Sequence, residues 1–183
     1  MSRPMRDLRP LLAPTSIAIV GASSRLNTVA ARPLENLQMM EYGGALYPIN
    51  PTAQEIAGIR CYPNLEELPE VPELALLVLP APHVLPTLES CAQRGVKAAI
   101  VISAGFAETG SEGAQAQVKI REVAQRSGMV ICGPNSLGVL NFVDRIPMTF
   151  GSVTDMKDWP GGRVSLVSQS GGLLVGLANR AFD

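Results

Sequence analysis

The stretch Ser16-Ile-Ala-Ile-Val-Gly-Ala-Ser-Ser24 decides the fold of this chain. Its first half is apolar and rich in β-branched residues, which predicts a strand buried on both faces, as in the centre of a parallel sheet. The small residues Gly21 to Ser24 predict a tight turn that runs into a helix and leaves backbone N–H groups open. Open amides and a helix dipole attract phosphate. The stretch therefore predicts a strand–turn–helix unit that binds a nucleotide-like ligand.

The turn differs from the dinucleotide fingerprint, which has glycine at its first, third and sixth positions. Those positions here hold Gly21, Ser23 and Leu26. The fingerprint also needs a carboxylate about 20 residues further on, to bind a ribose 2′-hydroxyl. The second candidate strand ends in Asn50-Pro51, and the next carboxylate is Glu55. The turn therefore favours a ligand other than NAD; the remaining interpretation is a turn that serves packing alone.

Composition excludes several classes of function. The chain has 183 residues, 46% of them hydrophobic, which suits one domain and part of another. Its 15 basic and 16 acidic residues are balanced and only 4% of residues are aromatic, which argues against a nucleic-acid partner. No apolar run approaches a membrane span, and no secretion signal is present. The distant Cys61, Cys91 and Cys132 and one histidine form no metal pattern, so we expect a cytoplasmic protein with reduced thiols and no metal.

Strand-like and helix-like segments alternate along the chain. Strands are predicted at 16–20, 45–49, 74–79, 98–102 and 129–132, with helices near 30–41, 82–94 and 112–126 and a short helical piece at 65–68. This alternation predicts an α/β fold with a doubly wound parallel sheet. We assign residues 1–142 to this domain and 143–162 to a linker. A strand at 163–167 and a helix at 173–182 would open a second domain at 163–183, which cannot bury its apolar face alone.

In an open parallel sheet, ligands bind beside the carboxyl ends of the strands, near the point where the strand order reverses. The loops predicted to leave these ends are Gly21–Ser24, Asn50–Pro51, Pro80–Pro82, Ser103–Phe106 and Gly133–Ser136. All are small residues or prolines, which would let a long flexible ligand lie close to the backbone. In any single loop the prolines have a simpler explanation, which is that they end the strand. Five such loops at one edge favour a shared binding site.

Six motifs in order resemble the NDP-forming acyl-CoA synthetases, relatives of the succinyl-CoA synthetase α subunit. They are Ile-Val-Gly-Ala-Ser, Pro-Ile-Asn-Pro, Leu-Pro-Ala-Pro, Ile-Ser-Ala-Gly-Phe-Ala-Glu, Gly-Pro-Asn-Ser-Leu-Gly and Ser-Gln-Ser-Gly, between Leu11 and the last residue. The resemblance implies a Rossmann-like CoA-binding domain followed by the first βα unit of a flavodoxin-like ligase domain. The complete enzyme would join a carboxylic acid to CoA while ATP, with Mg, gives ADP and phosphate, through acyl phosphate and phosphohistidine intermediates.

The resemblance also implies roles for individual residues. The CoA-binding set is Gly21, Ala22, Ser23, Ser24, Arg25, Asn50, Pro51, Pro80, Ala81, Pro82, Ser103, Ala104, Gly105, Phe106, Gly133, Pro134 and Asn135. The first turn would receive the CoA phosphates, the second loop the adenosine end, the third and fourth loops the nucleotide or pantetheine path, and the last loop the thiol end. Arg25 would pair with a phosphate, or else is solvated, and Phe106 would either contact the ligand or pack in the core.

Ser168-Gln169-Ser170-Gly171 is a second small-residue turn at the start of a helix, and therefore a second candidate anion site. In the resembled family this turn faces the phosphohistidine; the simpler interpretation is a serine N-cap. That histidine lies beyond this sequence in the family, and the one histidine here, His83, stands where the family has no catalytic residue. We expect no catalytic residue and no activity from this chain alone, with the ligase and ATP-grasp parts in a further domain or subunit.

Three functions stay open at this point. The first is the CoA-binding portion of an ADP-forming acyl-CoA synthetase. The second is a non-catalytic module that senses CoA or acyl-CoA, such as the regulatory region of a protein acetyltransferase. The third is an NAD-binding redox domain, against which the missing glycines and carboxylate speak. The pocket for the acyl group is expected largely outside this chain, and a homo-oligomer is compatible with the first two functions.

Overall fold

The computed structural model describes residues 6–26, 28–151 and 161–180. In chain order their elements are α1 (Arg9–Leu12), β1 (Ser16–Val20), α2 (Arg32–Met39), β2 (Ala45–Ile49), β3 (Glu55–Ile56), β4 (Ile59–Arg60), β5 (Leu74–Leu77), α3 (Ala81–Arg94), β6 (Ala98–Val101), a 3-10 turn (Ala107–Thr109), α4 (Ser111–Ser127), β7 (Val130–Cys132), β8 (Gly138–Asn141), β9 (Ile146–Thr149) and α5 (Gly171–Arg180). Five strands form a parallel sheet in the order β2-β1-β5-β6-β7. The predicted α/β fold with a doubly wound parallel sheet is confirmed.

The strand order reverses between β1 and β5. The chain steps from β1 outward to β2, then returns across β1 and continues through β5, β6 and β7 in the opposite direction. Tyr62 adds a single parallel bridge to Ile49 outside β2, in the place of a further Rossmann strand. The switch point therefore lies where β1 and β5 end, and we call this side of the sheet, at which its five parallel strands end, the carboxyl edge.

The sheet is covered on both faces, which explains its continuous apolar strands. Every residue of β1, β5 and β6 is buried. Residues such as Val20, Leu77 and Val101 pack on one face under α3 and α4. Their neighbours along the strands pack on the other face with α2 and β9, where Leu34 and Met148 are almost fully buried. A three-layer core results, as parallel sheets require.

Beyond β7 the fold departs from the sequence-based expectation, because β8 and β9 form an antiparallel hairpin. The hairpin spans the predicted boundary at residue 142. Ile146 and Met148 are buried in the core, and the Asn36 side-chain amide of α2 donates a hydrogen bond to the Thr149 carbonyl. β9 thus belongs with the first domain and not with the predicted linker. Its short, proline-containing sequence gives little period-2 signal, since its four residues are all buried.

The strand predicted at 163–167 is absent, and its five residues are exposed. A strand needs a neighbour for its backbone hydrogen bonds, and within the described residues this segment has no partner strand. The helix predicted after it does form as α5, and its Ala178 is buried. The helical piece predicted at 65–68 is a turn whose two leucines pack into the core.

Two observations concern classes of partner. Among the described residues, no helix is both long and apolar enough to cross a bilayer. The same residues contain no cluster of three histidine, cysteine, aspartate or glutamate side chains arranged to hold a metal ion.

Candidate functional site

The turn after β1 lies directly against the end of β5, at the switch point. The Gly21 N–H donates to the Ile49 carbonyl at 3.0 Å. Gly21 has φ +88°, and a Cβ built on it would lie 2.3 Å from the Val78 carbonyl oxygen and 2.9 Å from Leu79 Cδ2. Only glycine fits both the left-handed backbone and this contact. The first glycine of the quoted stretch therefore sets how closely the two central loops approach.

The rest of this turn offers donors to an anion. Ala22 is fully buried, whereas the amides of Ser23 and Ser24 donate to no other described residue, and the exposed Arg25 adds a cation. The Arg25 N–H donates to Ser23 Oγ at 3.1 Å, which curls the turn. The predicted helix near 30–41 forms as α2, which begins at Arg32, so the expectation that the amides of the turn lie at the start of a helix is wrong. A helix dipole acts over its first turn, so any anion binding here relies on loop amides and Arg25.

Asn50 ties the loop after β2 to this turn. Its Nδ2 donates to the Ala22 carbonyl at 2.9 Å. Its Oδ1 accepts from the Thr52 N–H and hydroxyl, both at 3.0 Å, and from the Ala53 N–H at 3.2 Å. The Asn50 amide is thus engaged on both sides within the chain, and it acts as a positioning residue for the turn. Pro51 lies beside it with an exposed ring.

Ser103 joins the loops that follow β5, β6 and β7. Its hydroxyl accepts the Leu79 N–H at 3.1 Å, and its carbonyl accepts the Asn135 N–H at 2.9 Å. Close approach by glycine occurs again at Gly133, where a Cβ would lie 2.5 Å from the Val101 carbonyl oxygen. At Gly105, which has φ +104°, a Cβ would be 3.0 Å from Ala81 Cβ. The loops predicted to share an edge are therefore assembled into one continuous surface.

Individual residues of the predicted set differ in exposure. Pro80, Pro82, Ala104 and Asn135 are exposed on this surface. Phe106 is 1% exposed and belongs to the core, so the packing interpretation of this residue is the correct one.

Glu108, the last residue of the motif Ile-Ser-Ala-Gly-Phe-Ala-Glu, has a role at this surface that sequence reasoning did not assign. Its carboxylate accepts the N–H groups of Gly105 at 2.6 Å and Phe106 at 3.1 Å. These backbone hydrogen bonds hold the pKa of Glu108 below its ordinary value. The signal that could have revealed this role is a glutamate three residues after Gly105, in the loop that follows β6. The amides of Gly105 and Phe106 are consequently satisfied from within the chain and are not free to bind a ligand.

A groove with a cavity of about 390 Å³ adjoins this surface, between α4 and the edge strand β7. It shares Gly133 and Pro134 with the predicted set and is otherwise lined by α4 residues and by Ala107 and Ile131. The groove runs along the outer edge of the sheet, away from the switch point. The candidate site at the switch point therefore rests on strand topology and the assembled loops rather than on this cavity.

The second predicted anion turn does precede a helix. α5 begins at Gly171, and Ser170 Oγ accepts the Leu173 N–H at 3.3 Å, which is an N-cap bond. Ser168 Oγ accepts the Ser170 N–H at 3.1 Å, and Gln169 is exposed. The turn has the expected shape, and its role toward a phosphate stays a prediction. His83 lies at the exposed start of α3.

The geometry suits a ligand with a phosphorylated head and a long thin chain. The unpaired amides and Arg25 match the head, and the glycine-lined surface across β5, β6 and β7 leaves backbone accessible to a chain. The family described as CoA binding domain matches residues 15–141. This chain belongs to that family. The prediction of a Rossmann-like CoA-binding domain is thereby confirmed.

Relatives of this CoA-binding chain include ligases. It is 44% identical over 170 residues to a trans-feruloyl-CoA synthase from an unknown prokaryotic organism, covering 92% of this chain and 24% of that protein. It is 36% identical over 169 residues to the α subunit of an ADP-forming acetate–CoA ligase II from Pyrococcus furiosus, covering 92% of this chain and 36% of the subunit.

A solved structure of a related enzyme has the same fold as this chain. The dinucleotide-forming acetyl-coenzyme A synthetase 1 of Ca. Korarchaeum cryptofilum, in complex with phosphate and ADP, superposes with a TM-score of 0.87 at 37% identity. The match covers 97% of this chain and 37% of that one. The CoA-binding chain thus spans 24% to 37% of the length of these three relatives.

Proposed function

We propose that this chain is the CoA-binding region of an ADP-forming acid–CoA ligase. Such an enzyme joins a carboxylic acid to CoA through a thioester while ATP is converted to ADP and phosphate. The observation that carries the proposal is the continuous surface of five glycine- and proline-containing loops at the carboxyl edge, in a chain of the CoA-binding domain family. The ligase names of its relatives, at 34% to 44% identity, support the reaction class.

In this proposal each part of the surface has a task. The open amides of the turn after Gly21, with Arg25, bind the CoA pyrophosphate, because charge-assisted bonds to phosphate are strong. Asn50 holds that turn in position, and Ser103 holds the loops along which pantetheine lies. The loop at Gly133–Asn135 then receives the thiol end. The chain binds and orients CoA; the phosphohistidine, the ATP-grasp part and its Mg belong to other regions or a partner subunit.

The relatives act on chemically different acids, since their names specify feruloyl-CoA, acetate and 4-hydroxybutyrate. What they share with this chain is the CoA-binding part, so the proposal concerns CoA first. We place the protein in the cytoplasm, because an enzyme of this kind needs ATP and because its three cysteines are free thiols.

Titration calorimetry of the chain with CoA, acetyl-CoA, NAD and ADP tests the proposal. We expect CoA to bind and NAD to bind at least about tenfold more weakly, a difference of about 1.4 kcal/mol. The physical reason is that β2 ends in Asn50-Pro51 and lacks the carboxylate that would bind the ribose of NAD. NAD binding as tight as CoA binding would overturn the proposal. We also expect the chain alone to form no acyl-CoA from acid, ATP and CoA, and His83 to remain unphosphorylated.

A further inference from the structure

The groove between α4 and β7 opens at the end of the candidate site where the thiol of CoA would lie. Its mouth is formed by Ala107, which follows the loop after β6, and by Gly133 and Pro134, which follow β7. The last two residues also belong to the loop assigned to the thiol end. A group attached to the thiol therefore has an entrance directly beside it.

The mouth is fixed by hydrogen bonds within the chain. Gln117 Oε1, from α4, accepts the Ala107 N–H at 3.2 Å. Glu108 holds the two preceding amides of the same loop. On the other side, the Asn135 N–H donates to the Ser103 carbonyl at 2.9 Å and the Ser136 N–H donates to the Val101 carbonyl at 3.3 Å. The entrance is preformed, as small-molecule sites usually are.

The walls of the groove are mostly apolar. Ile131 of β7 forms one side, and Ala114, Val118 and Ala124 of α4 form the other. Val118 is a large apolar side chain that is 41% exposed. The groove exists because β7 is the edge strand of the sheet and because α4 presents alanines toward it. Its volume of about 390 Å³ is within the range of ligand sites, roughly 300 to 1,000 Å³.

One cation lines the groove away from the mouth. Arg121 makes no ion pair with any described residue, and it lies seven positions along α4 from Ala114. At 1.5 Å per residue, this separation is about 10 Å along the helix. A ligand that fills the groove would therefore meet apolar walls first and a guanidinium at about that depth.

We propose that the groove binds the acyl group of acyl-CoA. The ligand class is an apolar acyl chain about 10 Å long whose far end carries a hydrogen-bond acceptor for Arg121. This inference rests on the proposed function, because it needs the thiol of CoA at Gly133–Asn135. Sequence reasoning placed the acyl pocket largely outside this chain. In this inference the acyl group binds instead in a groove that is formed by residues of this chain.

Calorimetry with four ligands tests the inference, namely CoA, acetyl-CoA, cinnamoyl-CoA and 4-hydroxycinnamoyl-CoA. Burying the apolar ring should make cinnamoyl-CoA bind about tenfold more tightly than CoA, and acetyl-CoA should bind like CoA. The 4-hydroxyl should add about a further threefold to tenfold through Arg121. CoA that binds while cinnamoyl-CoA binds no better overturns the inference and leaves the proposed function intact. Absence of CoA binding refutes the proposed function itself.

Two groove variants and a matched control locate the effect. Ala114→Leu narrows the groove from its α4 wall and should remove the tenfold advantage of cinnamoyl-CoA without changing the affinity for CoA. Gln115→Leu adds the same side chain on the exposed side of the helix, outside the groove, and should keep the advantage. Arg121→Met should remove only the contribution of the 4-hydroxyl. If Ala114→Leu keeps the advantage as its control does, the acyl group lies outside the groove and the inference is wrong.

Discussion

Replacing Gly21 by alanine should both destabilise the fold and weaken CoA binding. The new Cβ would lie 2.3 Å from the Val78 carbonyl oxygen, which belongs to the backbone leaving β5 and cannot rotate away. The φ of +88° adds strain of about 1–2 kcal/mol for any residue with a Cβ. Overpacking against the carbonyl should add about 1–3 kcal/mol. The expected total loss of unfolding free energy is about 2–5 kcal/mol.

Gly128→Ala is the matched control, because it separates the two contributions. Gly128 caps α4 with φ +77°, and a Cβ built there has no atom within 4 Å. It should therefore cost only the backbone strain of about 1–2 kcal/mol. Gly43→Ala, with open space and no left-handed φ, should change stability least of the three.

The assay is urea and thermal unfolding of the wild-type chain and the three variants, followed by CoA calorimetry at a temperature where all are folded. A domain of this size changes its Tm by about 2–4 °C per kcal/mol, so Gly21→Ala should melt about 2–12 °C below Gly128→Ala. We also expect at least about a tenfold loss of CoA affinity for Gly21→Ala alone, equal to about 1.4 kcal/mol. If the two variants melt together and bind CoA equally, the tight contact at the switch point does not control either property.

Three further changes test other parts of the site. Asn50→Ala should lower the unfolding free energy by about 1–3 kcal/mol, since it frees the Ala22 carbonyl and two amides, and should weaken CoA binding in calorimetry; equal CoA affinity would refute its positioning role. Burial raises the pKa of Cys91 to about 12, so peptide mapping after alkylation at pH 8 should find this thiol unmodified until urea unfolds the chain, and rapid native labelling would contradict the structure. Backbone hydrogen bonds lower the pKa of Glu108, so the carboxylate should stabilise the fold relative to Glu108→Gln above about pH 4.5. This difference in unfolding free energy should disappear as the pH falls through the folded-state pKa. A difference that grows on acidification would contradict the lowered pKa.

Much of the fold and part of the site could be predicted from the sequence. The strands of the parallel sheet were located because each is a continuous apolar run between turn residues, a pattern that burial on both faces imposes. The five loops at the carboxyl edge followed from the same pattern, because parallel strands must all end on one side. Gly21 could be singled out since its neighbours form a strand that ends in a turn of small residues.

What the sequence could not supply depends on contacts between distant residues. The roles of Asn50 and Ser103 are set by partners 28 and 24 residues away, in loops that only the folded sheet brings together. Glu108 lies close in sequence to the amides it binds, yet its role depends on the backbone path of the loop after β6. Residues 163–167 have the apolar pattern of a strand, but a strand requires a neighbour for its hydrogen bonds, and the described residues provide none.

The sequence by itself determined the strands of the sheet, its parallel class and the edge at which the candidate site lies, because these follow from hydrophobic periodicity and from where strands end. Only the tertiary structure decided which side chains are engaged within the chain, that β9 completes the core, and that α4 and β7 enclose a groove beside the loop at Gly133. Those features arise from packing between elements far apart in the chain. Local sequence constrains the conformation of each element but not the distance at which two elements meet.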